Sequence, residues 1–270
     1  MTAERVREVA LEGGDVTEGV VRVGRTVRRP LRAHSPAVHG LLRHLERVGF
    51  TGAPRFLGID EQGREVLTYL EGEVPGRPLP AYAAADEALA GVARLLRRFH
   101  DAVDSYEPPP DAPWDTAFTT NVDDPPELIG HCDVTPDNVV FRNGAPYALI
   151  DFDLARPTTR LFDVVNTLRT WGPLADPADR EAVFARLDAD AVARRIRLFC
   201  DAYGLPEDQR RRVPAVARLR LERSHASMRA RAEHLGGGWA RMWREGVGDR
   251  IRRAQDWLDL NWDVLDARLV

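Results

Sequence analysis

The stretch from His131 to Asp153 constrains this chain more than any other. Val139, Val140 and Phe141 form an apolar run, Asn143-Gly144 follows, and Tyr147 to Ile150 form a second apolar run. Asn and Gly both tolerate positive φ, so the pair reads as a hairpin turn joining two antiparallel strands. A hairpin brings its second strand back to where the first began. Asn138 and Asp151, just outside the two strands, therefore share one end, with Asp133 five residues before Asn138. Singly these residues would pass as turn formers or caps. Jointly, Asn138 and Asp151 at one hairpin end can both reach a single metal–phosphate unit.

With those residues placed, the chain resembles the aminoglycoside phosphotransferase and choline-kinase-like family, small-molecule kinases of the protein-kinase-like fold. The family pattern runs H-G-D-x-x-x-x-N, an apolar strand, I-D-F, then an Asp before a helix. This chain reads His131-Cys132-Asp133, Asn138-Val139-Val140, Ile150-Asp151-Phe152-Asp153, and Asp163 in Leu-Phe-Asp-Val-Val-Asn. It departs at Cys132, where the family has Gly, and at Val134-Thr135, but keeps every catalytic group. The resemblance implies ATP or GTP as phosphoryl donor and Mg²⁺ as cofactor. It makes Asp133 the base that accepts the proton of the attacking hydroxyl, and Asn138 and Asp151 the Mg²⁺ ligands. His131, Asp153 and Asp163 fall in supporting places. Asp163 either orients the catalytic loop through backbone N–H groups or merely caps the next helix.

The same resemblance implies an α+β, two-lobed architecture. Residues 1–74 would be a small antiparallel-sheet N-lobe with one helix. Residues 75–270 would be a larger, mainly helical C-lobe carrying the loop 131–153 and acceptor-site helices over 179–270. In the N-lobe, Gly13-Gly14 is similar to the family's glycine loop over the phosphates, or is a plain hairpin turn. All 38 basic residues are arginine, so the lysine that many kinases place on the third strand cannot exist here. The Val27-Arg28-Arg29-Pro30 strand resembles the family's V-L-(K/R)-L-P. That aligns Arg28 with the phosphate-binding base and leaves Arg29, on the opposite strand face, as the alternative. Arginine can bind phosphate bidentately.

Ser35-Pro36 reads as a helix start and Gly49 as its stop, with Val38, Leu41, Leu42, Leu45 and Val48 as a core stripe. The acid that normally pairs with the strand base would fall at Val38 or His39, and no acid lies nearby on this helix. The usual ion pair is therefore expected to be missing, with His39 either helping with phosphate or lying on a solvated surface. Tyr69, Leu70 and Glu71 are the hinge candidates for the adenine edge, and Pro75 to Pro80 a stiff connector between lobes. Ala83 to Val103 reads as a long helix with Leu89, Val92, Leu96, Phe99 and Val103 on its core face. Arg156 to Arg160 takes the place of a kinase activation segment and is short, which points to a small-molecule acceptor. On the last helix Asp256, Asp259 and Asp263 share a face that would suit a cationic acceptor, or is solvated and balanced by arginines.

No apolar run reaches the length of a membrane span and the N-terminus shows no signal-peptide core, so a cytoplasmic protein with no membrane partner is expected. The net charge of −4 argues against nucleic acid as a partner. Nothing implies an obligatory protein partner. Two other readings stay open: a nucleotide-binding or immunity-type protein of this fold without turnover, and nucleotidylation at the same site.

Overall fold

The computed structural model describes residues 8–11, 19–115 and 124–270. Gly13 and Gly14, and with them the glycine-loop reading, lie outside the described residues.

The N-terminal part is a five-stranded antiparallel sheet in the order β1-β2-β3-β5-β4. Its strands are β1 (Glu8–Ala10), β2 (Val21–Val23), β3 (Thr26–Pro30), β4 (Phe56–Ile59) and β5 (Arg64–Thr68). Helix α1 (Ser35–Arg47) packs its Val38, Leu41, Leu42 and Leu45 into the core. Val48 lies just past the helix and is exposed. Ser35 does not act as the cap; its Oγ accepts the Arg32 N–H, and His34 occupies the cap position. Within the sheet, β3 pairs with β5 so that Arg29 stands directly opposite Glu65. That register decides the chemistry described below.

The chain leaves β5 through Tyr69 to Gly72 and docks at once on the C-terminal part. Glu73 exchanges both backbone hydrogen bonds with Phe141, at 2.9 and 2.7 Å. The approach is tight: a Cβ on Gly72 would sit 2.4 Å from the Phe141 carbonyl oxygen. The expected long helix is two helices, α2 (Ala81–Ala84) and α3 (Asp86–Val103), separated by an extended Ala85. Leu89, Val92, Leu96, Phe99 and Val103 are buried as the spacing implied.

The hairpin forms as read, from β7 (Val139–Arg142) and β8 (Ala145–Leu149), with Asn143 at φ 52° and Gly144 at φ 76°. A second ribbon pairs β6 (Leu128–Gly130) with β9 (Arg156–Thr158). The helices α4 (Arg160–Trp171), α5 (Ala189–Tyr203), α6 (Glu207–His234) and α7 (Gly237–Arg244) follow. The chain ends in α8 (Val247–Leu260) and α9 (Trp262–Leu269). One continuous last helix was expected. It breaks at Asn261, whose side chain donates to the Trp257 carbonyl at 2.7 Å. No helix among the described residues is long and apolar enough to cross a membrane. The architecture is thus a small antiparallel sheet with one helix beside a helical C-lobe.

Candidate active site

Asp163 holds the loop that carries Asp133. Its carboxylate accepts the backbone N–H groups of His131 and Cys132, both at 2.8 Å, and lies 3.0 Å from His100 Nε2. His100 in turn meets the Tyr203 hydroxyl at 2.6 Å. Burial by itself raises the Asp163 pKa, but the His100 bond and these N–H groups bring it below the ordinary value. Thr159, not Asp163, caps α4. A Cβ on Gly130 would collide with Asp163 Oδ2 at 2.7 Å, so glycine is required for this close approach.

Cys132 takes φ 61°, the left-handed region. That explains why the resembling family uses Gly there and shows that Cys132 bears some strain. Burial pushes its thiol up to about 12, so it is inert. His131 is buried and spans two segments: Nε2 lies 3.0 Å from the Ile150 carbonyl, and Nδ1 accepts the Asp133 N–H at 3.3 Å. It joins the loop to the end of β8.

On this support, Asn138 Nδ2 donates to Asp133 Oδ2 at 2.9 Å and to the Asp133 carbonyl at 2.9 Å. The amide nitrogen is thereby fixed toward Asp133, and Oδ1 is left as an oxygen donor. Burial raises the Asp133 pKa against the opposing charge of Arg169, whose Nη2 is 3.5 Å from Oδ1. Asp151 adopts φ 61° at the end of the hairpin. Its Oδ1 lies 3.0 Å from Arg29 Nη1, and Asp153 pairs with Arg29 Nη2.

Arg28, aligned with the phosphate-binding base from sequence, is not in this cluster. Its guanidinium donates to Thr26 Oγ1 at 2.5 Å and lies 3.5 Å from Asp60, on the other face of the sheet. Strand alternation is the reason. Val27 packs on the core, and Arg29 shares its parity. Arg29 is buried, and its Nε donates to Glu65 Oε1. An ion pair does form, in an arrangement other than the family's usual one. The acid comes from the neighbouring strand instead of the helix, and the helix supplies His39, whose Nε2 is 2.7 Å from Glu65 Oε2. His39 is buried and stacked on Phe56, with centroids 3.7 Å apart, so it is neither a phosphate contact nor a solvated surface residue. Burial pulls the Glu65 pKa up, but His39 and Arg29 bring it below the ordinary carboxylate range.

In the segment expected to be the hinge, Tyr69 N–H donates to the Arg25 carbonyl, and the Glu71 carbonyl accepts from Arg142 and the Tyr147 hydroxyl. Among the described residues, the backbone groups of Leu70 have no partner. The acidic face does not form: Asp259 pairs with Arg218 at 2.8 Å, Asp256 and Asp263 are exposed, and the break at Asn261 separates Asp263 from the other two. Sequence reasoning missed Glu65, although a lone acid in phase with buried Leu67 marks an inward position. It also missed Arg169 and Arg220 near Asp133, and Arg156 near Arg220; in a chain with arginine in place of every lysine, nothing in the sequence singles them out.

Among the described residues no three His, Cys, Asp or Glu side chains converge as a preformed metal cage. The donor set still fits Mg²⁺, which takes one or two protein oxygens and fills its shell with water and phosphate. Asn138 Oδ1 and the Asp151 carboxylate are such oxygens.

The model of the phosphotransferase enzyme family matches residues 110–199. The trifolitoxin immunity protein of Rhizobium leguminosarum bv. trifolii is 37% identical over 208 residues, covering 75% of this chain and 76% of that protein. A choline/ethanolamine kinase family protein from Mesorhizobium loti is similar in structure, with TM-score 0.57 at 16% identity, covering 96% of this chain and 93% of the other. ADP-bound aminoglycoside phosphotransferase APH(2″)-Ib gives a TM-score of 0.56 at 13% identity, covering 97% of this chain and 95% of the other. The fold is the protein-kinase-like fold of these enzymes. The chain belongs to the phosphotransferase enzyme family.

Proposed function

We propose that this protein transfers the γ-phosphoryl group of a nucleoside triphosphate to a hydroxyl of a small molecule. The observation that carries this reading is the Asp133–Asn138 hydrogen bond at 2.9 Å, with Asp151 held across from it by Arg29 at 3.0 Å. Asp133 orients the acceptor hydroxyl and takes its proton as the oxygen attacks the γ-phosphorus. The bond from that phosphorus to the β–γ bridging oxygen breaks, and the nucleoside diphosphate leaves with those electrons. Asn138 Oδ1 and Asp151 would hold Mg²⁺, which supplies charge neutralisation to the phosphates. Arg29, paired with Asp151 and Asp153, would face the phosphates, and Tyr69 to Glu71 would pair with the base. Catalysis then rests on position and preorganised charge. The single connection from β9 to α4 leaves no extended platform for a peptide, which supports a small acceptor.

Asp133→Ala is expected to lower turnover by about 10³-fold while leaving nucleotide affinity near wild type. Release of nucleoside diphosphate alongside a titration of nucleotide binding measures both. Turnover near wild type contradicts the assignment of the base. Product mass separates this reaction from nucleotidylation, which adds a whole nucleotide monophosphate.

A second reading is favoured by one observation, the named activity of the relative from Rhizobium. On that reading the chain is an immunity-type protein that binds nucleotide without transferring phosphate. Mg²⁺-dependent nucleotide binding with no diphosphate formed against any acceptor would select it.

A further inference from the structure

Asp133 itself locates the acceptor side of the cleft. Its Oδ2 faces Asn138, on the side of Asp151, and its Oδ1 faces Arg169. An acceptor must enter from the Oδ1 side. Arg220 and Arg156 stand behind Arg169 there. Arg220 gives its Nε to Asn166, and Arg156, buried, donates to the Leu154 carbonyl at 3.3 Å. Neither is paired with a carboxylate among the described residues. Burial first, and then the neighbouring charges of Arg169 and Arg156, push the Arg220 pKa down to about 9 against the opposing charge of Asp133.

The positive charge continues along α6. Arg220, Arg223, Ser227, Arg231 and His234 recur at intervals of three and four, so they share one face of the helix. Four of them, Arg223 to His234, line an open groove of about 380 Å³ together with small apolar residues. The α6 acids lie on other faces: Glu222 is exposed, and Glu233 is paired with Arg229. Among the described residues, Asp133 and Asp137 lie near Arg169, and Asp115 is 3.4 Å from Arg231. Arg156 and Arg220 have no carboxylate within ion-pair distance among the described residues, so the cluster carries unpaired positive charge.

We infer that the acceptor is an anionic, hydroxylated small molecule whose carboxylate or phosphate group is received by the Arg156–Arg169–Arg220 cluster and the α6 groove. An ammonium-bearing acceptor would meet uncompensated like charge there. The word acceptor rests on the phosphotransfer reading; the anion site does not.

The test is a thermal-shift titration with gluconate, glycerol 3-phosphate and ethanolamine. It is run with no nucleotide and again with saturating Mg²⁺ and a non-hydrolysable nucleoside triphosphate. Gluconate or glycerol 3-phosphate is expected to stabilise the protein in the presence of nucleotide, and the better of the two identifies the anionic group. Ethanolamine is expected to leave it unchanged. Arg220→Gln should weaken the anion by about tenfold. Arg223→Glu, at an exposed position that folding does not need, should weaken it in the same direction. Arg218→Gln, on another face of α6, should not. An anion shift in a protein that binds no nucleotide would support the anion site while contradicting phosphotransfer. The inference is overturned if ethanolamine binds and the anions do not, or if neither kind binds. It is equally overturned if the anion shift vanishes once the nucleotide site is filled, or survives unchanged in both variants.

Discussion

Arg29 serves three carboxylates from one strand position: Glu65 beside it on β5, and Asp151 and Asp153 across the cleft. A lysine ammonium is one point charge and could not span them, whereas a guanidinium presents a fork of donors. Arg29→Ala leaves buried Glu65 short of its partner and is expected to cost about 3 kcal/mol of unfolding free energy. Arg28→Ala, one residue away, should change stability by no more than about 0.5 kcal/mol. Denaturant melts of the two variants measure the difference, and equal losses would contradict it. Asp133, Asn138 and Asp151 could be placed from the sequence because their spacing is local. Arg28 was preferred to Arg29 because alignment with a motif outweighed strand parity, although Val27 already marked the inward face.

At the scale of elements, the β3–β5 register and the packing of α1 replace an ion pair that the helix sequence could not supply. Glu65 comes from the strand and His39 from the helix, so neither element's own sequence reveals the unit. Glu65 has a folded pKa below its unfolded one, so its contribution is complete above the unfolded carboxylate value of about 4.3. It is lost as pH falls from there through the folded value. Melting temperature measured against pH should therefore drop less steeply over this acidic window in Glu65→Gln than in wild type; parallel curves would contradict the linkage. The β7–β8 hairpin was legible because its turn needs positive φ at two positions. Gly144→Ala has open space around it but keeps φ 76°, so it should cost about 1 kcal/mol, read by denaturant melts. The break at Asn261 was not legible, because apolar spacing continues across it while a side chain ends the helix.

Over the whole molecule, several contacts among the described residues join the N-terminal part to the C-terminal part, and two of them concern the backbone after β5 and the cluster at Asp151. The Glu73–Phe141 bridge fixes the backbone, and Arg29 ties β3 to the residues after β8. The hairpin, α1 and the core face of α3 were readable from motif and period; the N-lobe sheet and the helical character of residues 179–270 came as what the resemblance implied, without the bounds of the individual helices. The charge around Asp133 was not legible in the sequence: the chain carries −4 overall, yet Arg169 of α4 and Arg220 of α6 meet at Asp133, with Arg156 of β9 beside Arg220, only through tertiary packing. A nucleotide placed between hinge and hairpin end would touch both parts and stabilise them together. The most direct test of Mg²⁺–nucleotide binding at this site is a thermal-shift titration with ATP and GTP, with and without Mg²⁺, on wild type and Asp151→Ala. At 100 times its dissociation constant, one nucleotide should add about 2.7 kcal/mol of stability to the wild type, only with Mg²⁺ present. The shift should be much reduced in Asp151→Ala. No shift with either nucleotide, or an equal shift in the variant, would contradict the site.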